Sequence, residues 1–210
     1  MTTQTKRVLI IKSSPAADGS VSNAIADFLE AQLAAKNEQY EFTVRDLTKM
    51  PPPLYDTEIL RAFYTPDGEL DENQLQIVAP SLVYINELKA ADIVVVASPM
   101  HNFSTTTLLK AYIDQICRWG LTFQYGPNGY EGFLKNKKAV IISCAGGDFT
   151  LESEKHKDFQ SPYLEHIFKF IGIEDVTIVP AHGLNMGDEI AARSKQAAKE
   201  KLEELAITSL

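Results

Sequence analysis

Three short runs, residues 8–11, 93–97 and 139–142, carry no polar interruption. That is the pattern of central parallel strands covered on both faces. Residues 176–179, Val-Thr-Ile-Val, are assigned a further strand, and residues 40–44 alternate apolar and polar. Alternation leaves one face wetter and puts that strand at a sheet edge. Between the runs, Ile25, Phe28, Leu29 and Leu33 recur at helical spacing, as do Leu108, Leu109, Tyr112, Ile113 and Ile116 within residues 104–118. Further helices fit residues 160–171, closed by Gly172, and residues 188–206. Five strands alternating with helices predict an α/β fold, a doubly wound five-stranded parallel sheet with helices on both faces.

Two stretches exceed what that architecture needs. Residues 47–91 open with Pro51-Pro52-Pro53 and are too long for a bare loop. Extra helix is expected there, in the region leading to Leu82, Ile85 and Leu88. Residues 119–133 hold Leu121, Phe123, Tyr125, Tyr130 and Phe133 around Gly126-Pro127-Asn128-Gly129, which reads as an aromatic hairpin. With no repeat, low-complexity tract or linker, residues 1–210 are expected to be one domain with these two additions.

The 210 residues carry a formal charge of -8 and a sequence pI of about 5.0. Such a chain lacks the clustered Lys and Arg that a phosphate backbone demands, so nucleic acid is excluded as a partner. Its apolar runs are too short for a membrane span or signal-peptide core. Cys117 and Cys144 form no CxxC pair. A soluble, cytoplasmic chain with reduced thiols is expected. His156, His166 and His182 show no metal-ligand spacing, so solvated or packed roles are expected for them and no metal site.

The candidate chemistry lies where strands give way to helices. A strand order of 2-1-3-4-5 places the turns after the first and third strands at the topological switch point, where open α/β sheets bind ligands. The first turn, residues 13–22, brings hydroxyls and free amides to a helix start, a site suited to a phosphate monoester. Neither GxGxxG nor GxxxxGK[ST] is present, so a mononucleotide fits better than a dinucleotide or a triphosphate. After the third strand comes Ser98-Pro99-Met100-His101-Asn102-Phe103-Ser104. After the fourth comes Ser143-Cys144-Ala145-Gly146-Gly147-Asp148, whose paired glycines let backbone approach a ring edge. One phosphate cradle, backbone donors along a polar ring edge and an open face are what a flavin requires, and FMN is the cofactor inferred.

These same stretches, residues 12–14, 20–23, 98–104, 109–114, 120–125 and 137–147, together resemble the FMN-dependent NADH azoreductases, or NADH:quinone oxidoreductases. The resemblance spans most of the chain. It implies a flavodoxin-like homodimer with its active site at the subunit interface. It also implies ping-pong exchange, in which NADH gives hydride to FMN and two electrons then pass to a quinone or azo compound. Ser13, Gly19, Ser20 and Val21 would contact the phosphate and ribityl chain. Met100, His101, Asn102 and Phe103 would hold the ring, and Cys144, Ala145, Gly146 and Gly147 would line its polar edge. Phe103 and Tyr125 would border the substrate, and no side chain is assigned a catalytic role. The chain departs from the family at His101, where Tyr is commoner, and at Cys144-Ala145, where a Ser-Arg pair is commoner.

Each feature also has a plainer reading. Ser20 and Ser22 could cap a helix with no ligand present, and Cys144 could be an ordinary buried thiol. The hairpin aromatics could pack within one chain or form an interface. Two other classes remain open. A flavodoxin-type single-electron carrier would need no space for nicotinamide. A hydrolase or phosphate-handling enzyme would need a GxSxG, P-loop or metal cluster that the chain lacks.

Overall fold

The computed structural model describes residues 5–16, 19–36, 40–66, 68–127 and 129–210. Residues 17 and 18 of the expected phosphate turn, and Asn128 of the hairpin turn, lie outside them. The chain runs β1 (Lys6–Lys12), α1 (Val21–Ala34), β2 (Tyr40–Asp46), α2 (Thr57–Tyr64), α3 (Glu72–Ala90), β3 (Ile93–Pro99) and α4 (Thr107–Ile116). It continues with β4 (Phe123–Gly126), β5 (Gly129–Gly132), β6 (Lys138–Cys144), α5 (Ser161–Phe170), β7 (Asp175–Ala181) and α6 (Asp188–Thr208). β1, β2, β3, β6 and β7 form one parallel sheet in the order β2-β1-β3-β6-β7, which is the expected 2-1-3-4-5 with the hairpin strands set aside.

The unbroken apolar runs are explained by two packing layers. On one face Leu9, Ile11, Val94, Val96, Ala139 and Ile141 meet residues of α3, α4 and α5. On the other, Val8, Ile10, Ile93, Val95, Val140 and Ile142 meet α1 and α6. Successive strand residues point to opposite sides, so a strand covered on both sides needs an apolar residue at every position. β2 sits at the edge as its alternation predicts, with Val44 46% exposed. Arg45 on β2 donates to the Glu87 carboxylate of α3 through both Nε and Nη2, and its guanidinium lies 5.2 Å from the Tyr84 ring centre. A largely buried, forked ion pair therefore ties the edge strand to a helix.

The long excursion contains the expected extra helix as two helices, of which α3 holds Leu82, Ile85 and Leu88. α3 is started by Asp71, which accepts from Gln74 N while the Gln74 side chain accepts from Asp71 N, a reciprocal cap. α2 starts at Asp56, whose carboxylate accepts from Ile59 N at 2.9 Å. α4 is shorter than residues 104–118. Thr106 caps it, accepting from Leu109 N at 3.1 Å, and Thr122 Oγ1 takes the Arg118 N–H at 3.0 Å, turning the chain out of the helix. Among the described residues, no helix is long and apolar enough to cross a membrane.

The hairpin is docked rather than free. Phe123 and Tyr130 pack on Phe170 of α5 at ring-centre distances of 4.4 and 4.8 Å. Gly132 lies so close to the end of α5 that a Cβ there would fall 2.1 Å from Gly172 N, while Gly172 itself has φ +108°. Trp119 and Tyr125 remain 70% and 69% exposed. Phe123 and Tyr130 thus pack within the chain, while Trp119 and Tyr125 face outward.

Gly132→Ala should destabilise the protein by about 3 kcal/mol, because backbone rather than a movable side chain blocks the methyl. Gly126→Ala in the same hairpin meets only Gly129 O, at 3.9 Å, and should change stability by about 1 kcal/mol at most. Denaturant unfolding of both variants checks this, and equal midpoints would remove the close approach as a constraint.

Candidate active site

Parallel register brings the three turns to one edge. Lys12 is paired with Ala97, Ser98 with Ser143, and Cys144 with Ala181. Ser13, at the exit of β1, donates to the Ala97 carbonyl twice, from N at 3.2 Å and from Oγ at 2.8 Å. It is fully buried. Its hydroxyl thus locks two strand ends together, and any contribution to a ligand comes from the chain it holds in place.

Beyond it, Gly19 N donates to Ala16 O at 3.0 Å, and the space around Gly19 where a Cβ would stand is open. Ser20 is the cap of α1, accepting from Asn23 N at 3.2 Å, with Ser22 Oγ also at 3.2 Å. The Ser20 oxygen and one of the two hydroxyl protons are engaged at the helix start. The amides of Val21 and Ser22 are not: among the described residues they have no acceptor, as first-turn amides characteristically do not. Their positive end of the helix dipole attracts an anion. Asn23 Oδ1 nearby is buried without a hydrogen-bond donor.

The turn after β3 is strained. His101 N donates to Ser104 O at 2.8 Å and Ser104 N returns to His101 O at 3.0 Å, closing a two-residue turn. Asn102 and Phe103 at its tip have φ of 50° and 67°. Positive φ is tolerable for Asn and unfavourable for Phe. Neither tip amide has an acceptor among the described residues. Met100 N donates to Cys144 O at 2.6 Å, joining this turn to the next. Phe103 is 51% exposed, its ring edge-on to Phe149 at 6.0 Å.

In the turn after β6, the carbonyls face β7 and the chain beyond it. Ala145 O, Gly146 O and Gly147 O accept from Leu184, Asn185 and Gly183 at 3.0, 2.9 and 2.8 Å. The Gly146 and Gly147 amides are left without acceptors among the described residues. A Cβ on Gly146 would fall 2.6 Å from Nδ2 of the exposed Asn185 side chain, which would have to move aside. Cys144 and Ala145 are buried, and burial pushes the Cys144 thiol up to about 12. Cys144 is thus a packed thiol, and only backbone in this turn is available to a ligand.

Tyr125 is placed on the hairpin with its ring against Phe123 at 5.7 Å, whereas the ring partner of Phe103 is Phe149. The two expected substrate-bordering rings thus pack on different partners within the chain. The hairpin base instead meets α2 around a cavity of about 450 Å³ lined by Tyr55, Phe63, Tyr64, Arg118 and Trp119. That cavity shares no lining residue with the turns at the sheet edge.

Several residues around the site carry no local signal. Phe159 N donates to Phe103 O at 3.0 Å, and the buried Gln160 side chain reaches the ends of both β3 and β6. His182 is packed, as one of its two expected roles allowed, beside Ser143. No spacing rule could have found these contacts, because their partners lie 17 to 62 residues away.

A family model described as a flavodoxin-like fold matches residues 6–206. The FMN-dependent NADH:quinone oxidoreductase of Hydrogenovibrio crunogenus is 41% identical over 197 residues, covering 93% of this chain and 97% of its own. The Escherichia coli (strain K12) protein of the same name is 40% identical over 199 residues, covering 95% and 98%. The crystal structure of an FMN-dependent NADH-azoreductase from Bacillus anthracis in complex with FMN superposes with a TM-score of 0.86 at 27% identity, over 96% of this chain and 97% of that one. From its length, identity and fold, this chain belongs to the FMN-dependent NADH:quinone oxidoreductases of the flavodoxin-like family, and it is an oxidoreductase.

Proposed function

We propose that this protein is a cytoplasmic FMN-dependent oxidoreductase that takes hydride from NADH and passes two electrons to quinones or aromatic azo compounds by a ping-pong mechanism. The observation that carries the reading is the set of unspent backbone donors at one sheet edge. Asn102 and Phe103 are held at positive φ with free amides, and the adjoining Gly146 and Gly147 amides are equally free. Strained backbone with unpaired donors persists where a ligand uses it. The names of the similar proteins supply the cofactor and the substrate classes.

In this reading the start of α1, with Gly19, Ser20 and Val21, takes the FMN phosphate, while Ser13 holds the strand ends that place it. Met100, His101, Asn102 and Phe103 support the ring from one side, and the backbone of residues 144–147 lines its polar edge. When bound, FMN supplies the electron chemistry, accepting hydride and delivering two electrons. The chain's own part is to bind, orient and exclude water. Cys144 takes no nucleophilic part, since its burial keeps it a thiol.

The whole chain acts as one FMN-binding domain, and two copies form a homodimer whose shared active site lies at the interface. Tyr64, Trp119, Tyr125 and Leu54 are each more than 65% exposed, an unusual quantity of large apolar surface for a chain that stays single. A second copy would also bring Tyr125 or the aromatic cavity to the exposed Phe103, which one chain does not do.

The purified protein should be yellow under anaerobic conditions, lose its visible absorption on addition of NADH and recover it with quinone. Colour that NADH leaves untouched would point to an electron carrier, and a colourless chain that ignores added FMN would remove the cofactor. Sedimentation should give twice the chain mass, and full activity in a monomer would overturn the shared site. Phe103→Gly should relieve the positive φ and stabilise the ligand-free fold by about 0.5 to 1 kcal/mol, while weakening FMN binding. Thermal unfolding and flavin titration of that one variant should therefore move in opposite directions.

A further inference from the structure

Ser143 is the centre of a buried polar cluster beneath the two ring-holding turns. Gln160 Nε2 donates to its Oγ at 2.9 Å, Ser161 Oγ donates to it at 3.1 Å, and His182 Nε2 lies 3.1 Å away. A hydroxyl has two acceptor sites and one proton. With Gln160 and Ser161 assigned as donors, the remaining partner for the Ser143 proton is His182 Nε2, which assigns the ring the Nδ1–H tautomer. That assignment makes the ring neutral with its proton on Nδ1, a buried atom with no hydrogen-bond partner among the described residues.

The cluster reaches both turns. The second Gln160 Nε2 hydrogen goes to Ser98 O at 3.1 Å, and Ser98 and Ser143 are register partners across β3 and β6. Ser98 leads into residues 100–103, and Ser143 into residues 144–147. The neighbouring Phe159 N holds Phe103 O, and Met100 N holds Cys144 O.

We propose that His182 is a positioning residue of the cofactor cradle: as a neutral acceptor it orients Ser143, and through Ser143 and Gln160 it sets the spacing of the two turns. This rests on the FMN reading above. A protonated ring would confront Ser143 with a third donor and leave the Ser143 proton without an acceptor, loosening the clamp.

The groups facing His182 come from several elements. Asp148 follows β6, Asp158 precedes α5, Phe149 packs its ring edge-on at 5.9 Å, and Arg193 of α6 lines a cavity of about 320 Å³ with it. Burial is the largest influence and lowers the histidine pKa below its ordinary value, against the two aspartates. The neutral ring and its clamp are thus in place above the ordinary histidine range. Their contribution declines as pH falls from that range through the lower folded-state value.

The test is FMN affinity, read by fluorescence titration of the flavin-free full chain from about pH 8 to about pH 5, across the histidine range. His182→Gln offers an amide oxygen near the Nε2 position and should bind FMN like wild type at the upper end. His182→Leu should bind about tenfold more weakly there, the scale of one lost hydrogen bond. Wild type should weaken on acidification more than either variant. The FMN phosphate titrates in all three proteins, so its effect cancels in the comparison.

Equal affinity of His182→Leu and wild type would overturn the proposal, as would a His182→Gln protein as weak as the leucine variant. Should the leucine variant not fold, the wild-type and glutamine profiles still decide, and identical profiles overturn the proposal. Wild type that binds no FMN at any pH would instead sink the cofactor reading itself, whereas binding indifferent to residue 182 would sink only the role of His182.

Discussion

The site depends on β1, β3 and β6 ending level with one another. A parallel ladder transmits register from strand to strand, and here Lys12 stands beside Ala97, and Ser98 beside Ser143. Ser13 strengthens the first of these junctions with two hydrogen bonds into a single carbonyl. A slip of one residue would move each strand's side chains to the opposite layer and unpack both, so the two apolar layers enforce the alignment. The stability of the core and the placement of the turns are one constraint.

What the edge offers a ligand follows from which polar groups the fold has already used. Ser13, Ser20 and Ser98 direct their hydroxyls to a strand end, a helix cap and Thr105 respectively. The carbonyls of residues 145–147 are taken by residues 183–185. Amides remain: those at the start of α1, at the Asn102-Phe103 tip and at Gly146 and Gly147. A site made of amides recognises phosphate oxygens and ring acceptors, and tolerates side-chain change better than one made of hydroxyls. In the proposed reading, His101 and Cys144-Ala145 could thus differ from the commoner family residues while the backbone kept its donors.

The additions to the minimal sheet follow the same economy. The hairpin spends Phe123 and Tyr130 on Phe170 and closes its backbone against Gly172, which leaves Trp119 and Tyr125 outward. α2 and the hairpin base enclose an aromatic cavity beside these exposed rings, with the Arg118 guanidinium 4.1 Å from the Phe63 ring centre. Rigid attachment on one side and apolar exposure on the other suit a surface that is completed by another molecule.

Apolar periodicity by itself determined the five sheet strands, the edge position of β2, the helices α1, α4, α5 and α6, and the three turns that follow β1, β3 and β6. These are properties of ten or twenty neighbouring residues, and burial on one or two faces writes them directly into composition. It showed one helix of the long excursion and passed over α2, a helix of only two turns. The partners of Ser13, Ser143, Gln160 and His182, the contact of Gly132 with Gly172, and the positive φ at Asn102 and Phe103 were decided only in the tertiary structure. Each depends on atoms that the sheet register and loop packing bring together from distant parts of the chain. No local pattern can record which donor will meet which acceptor, or which will be left free.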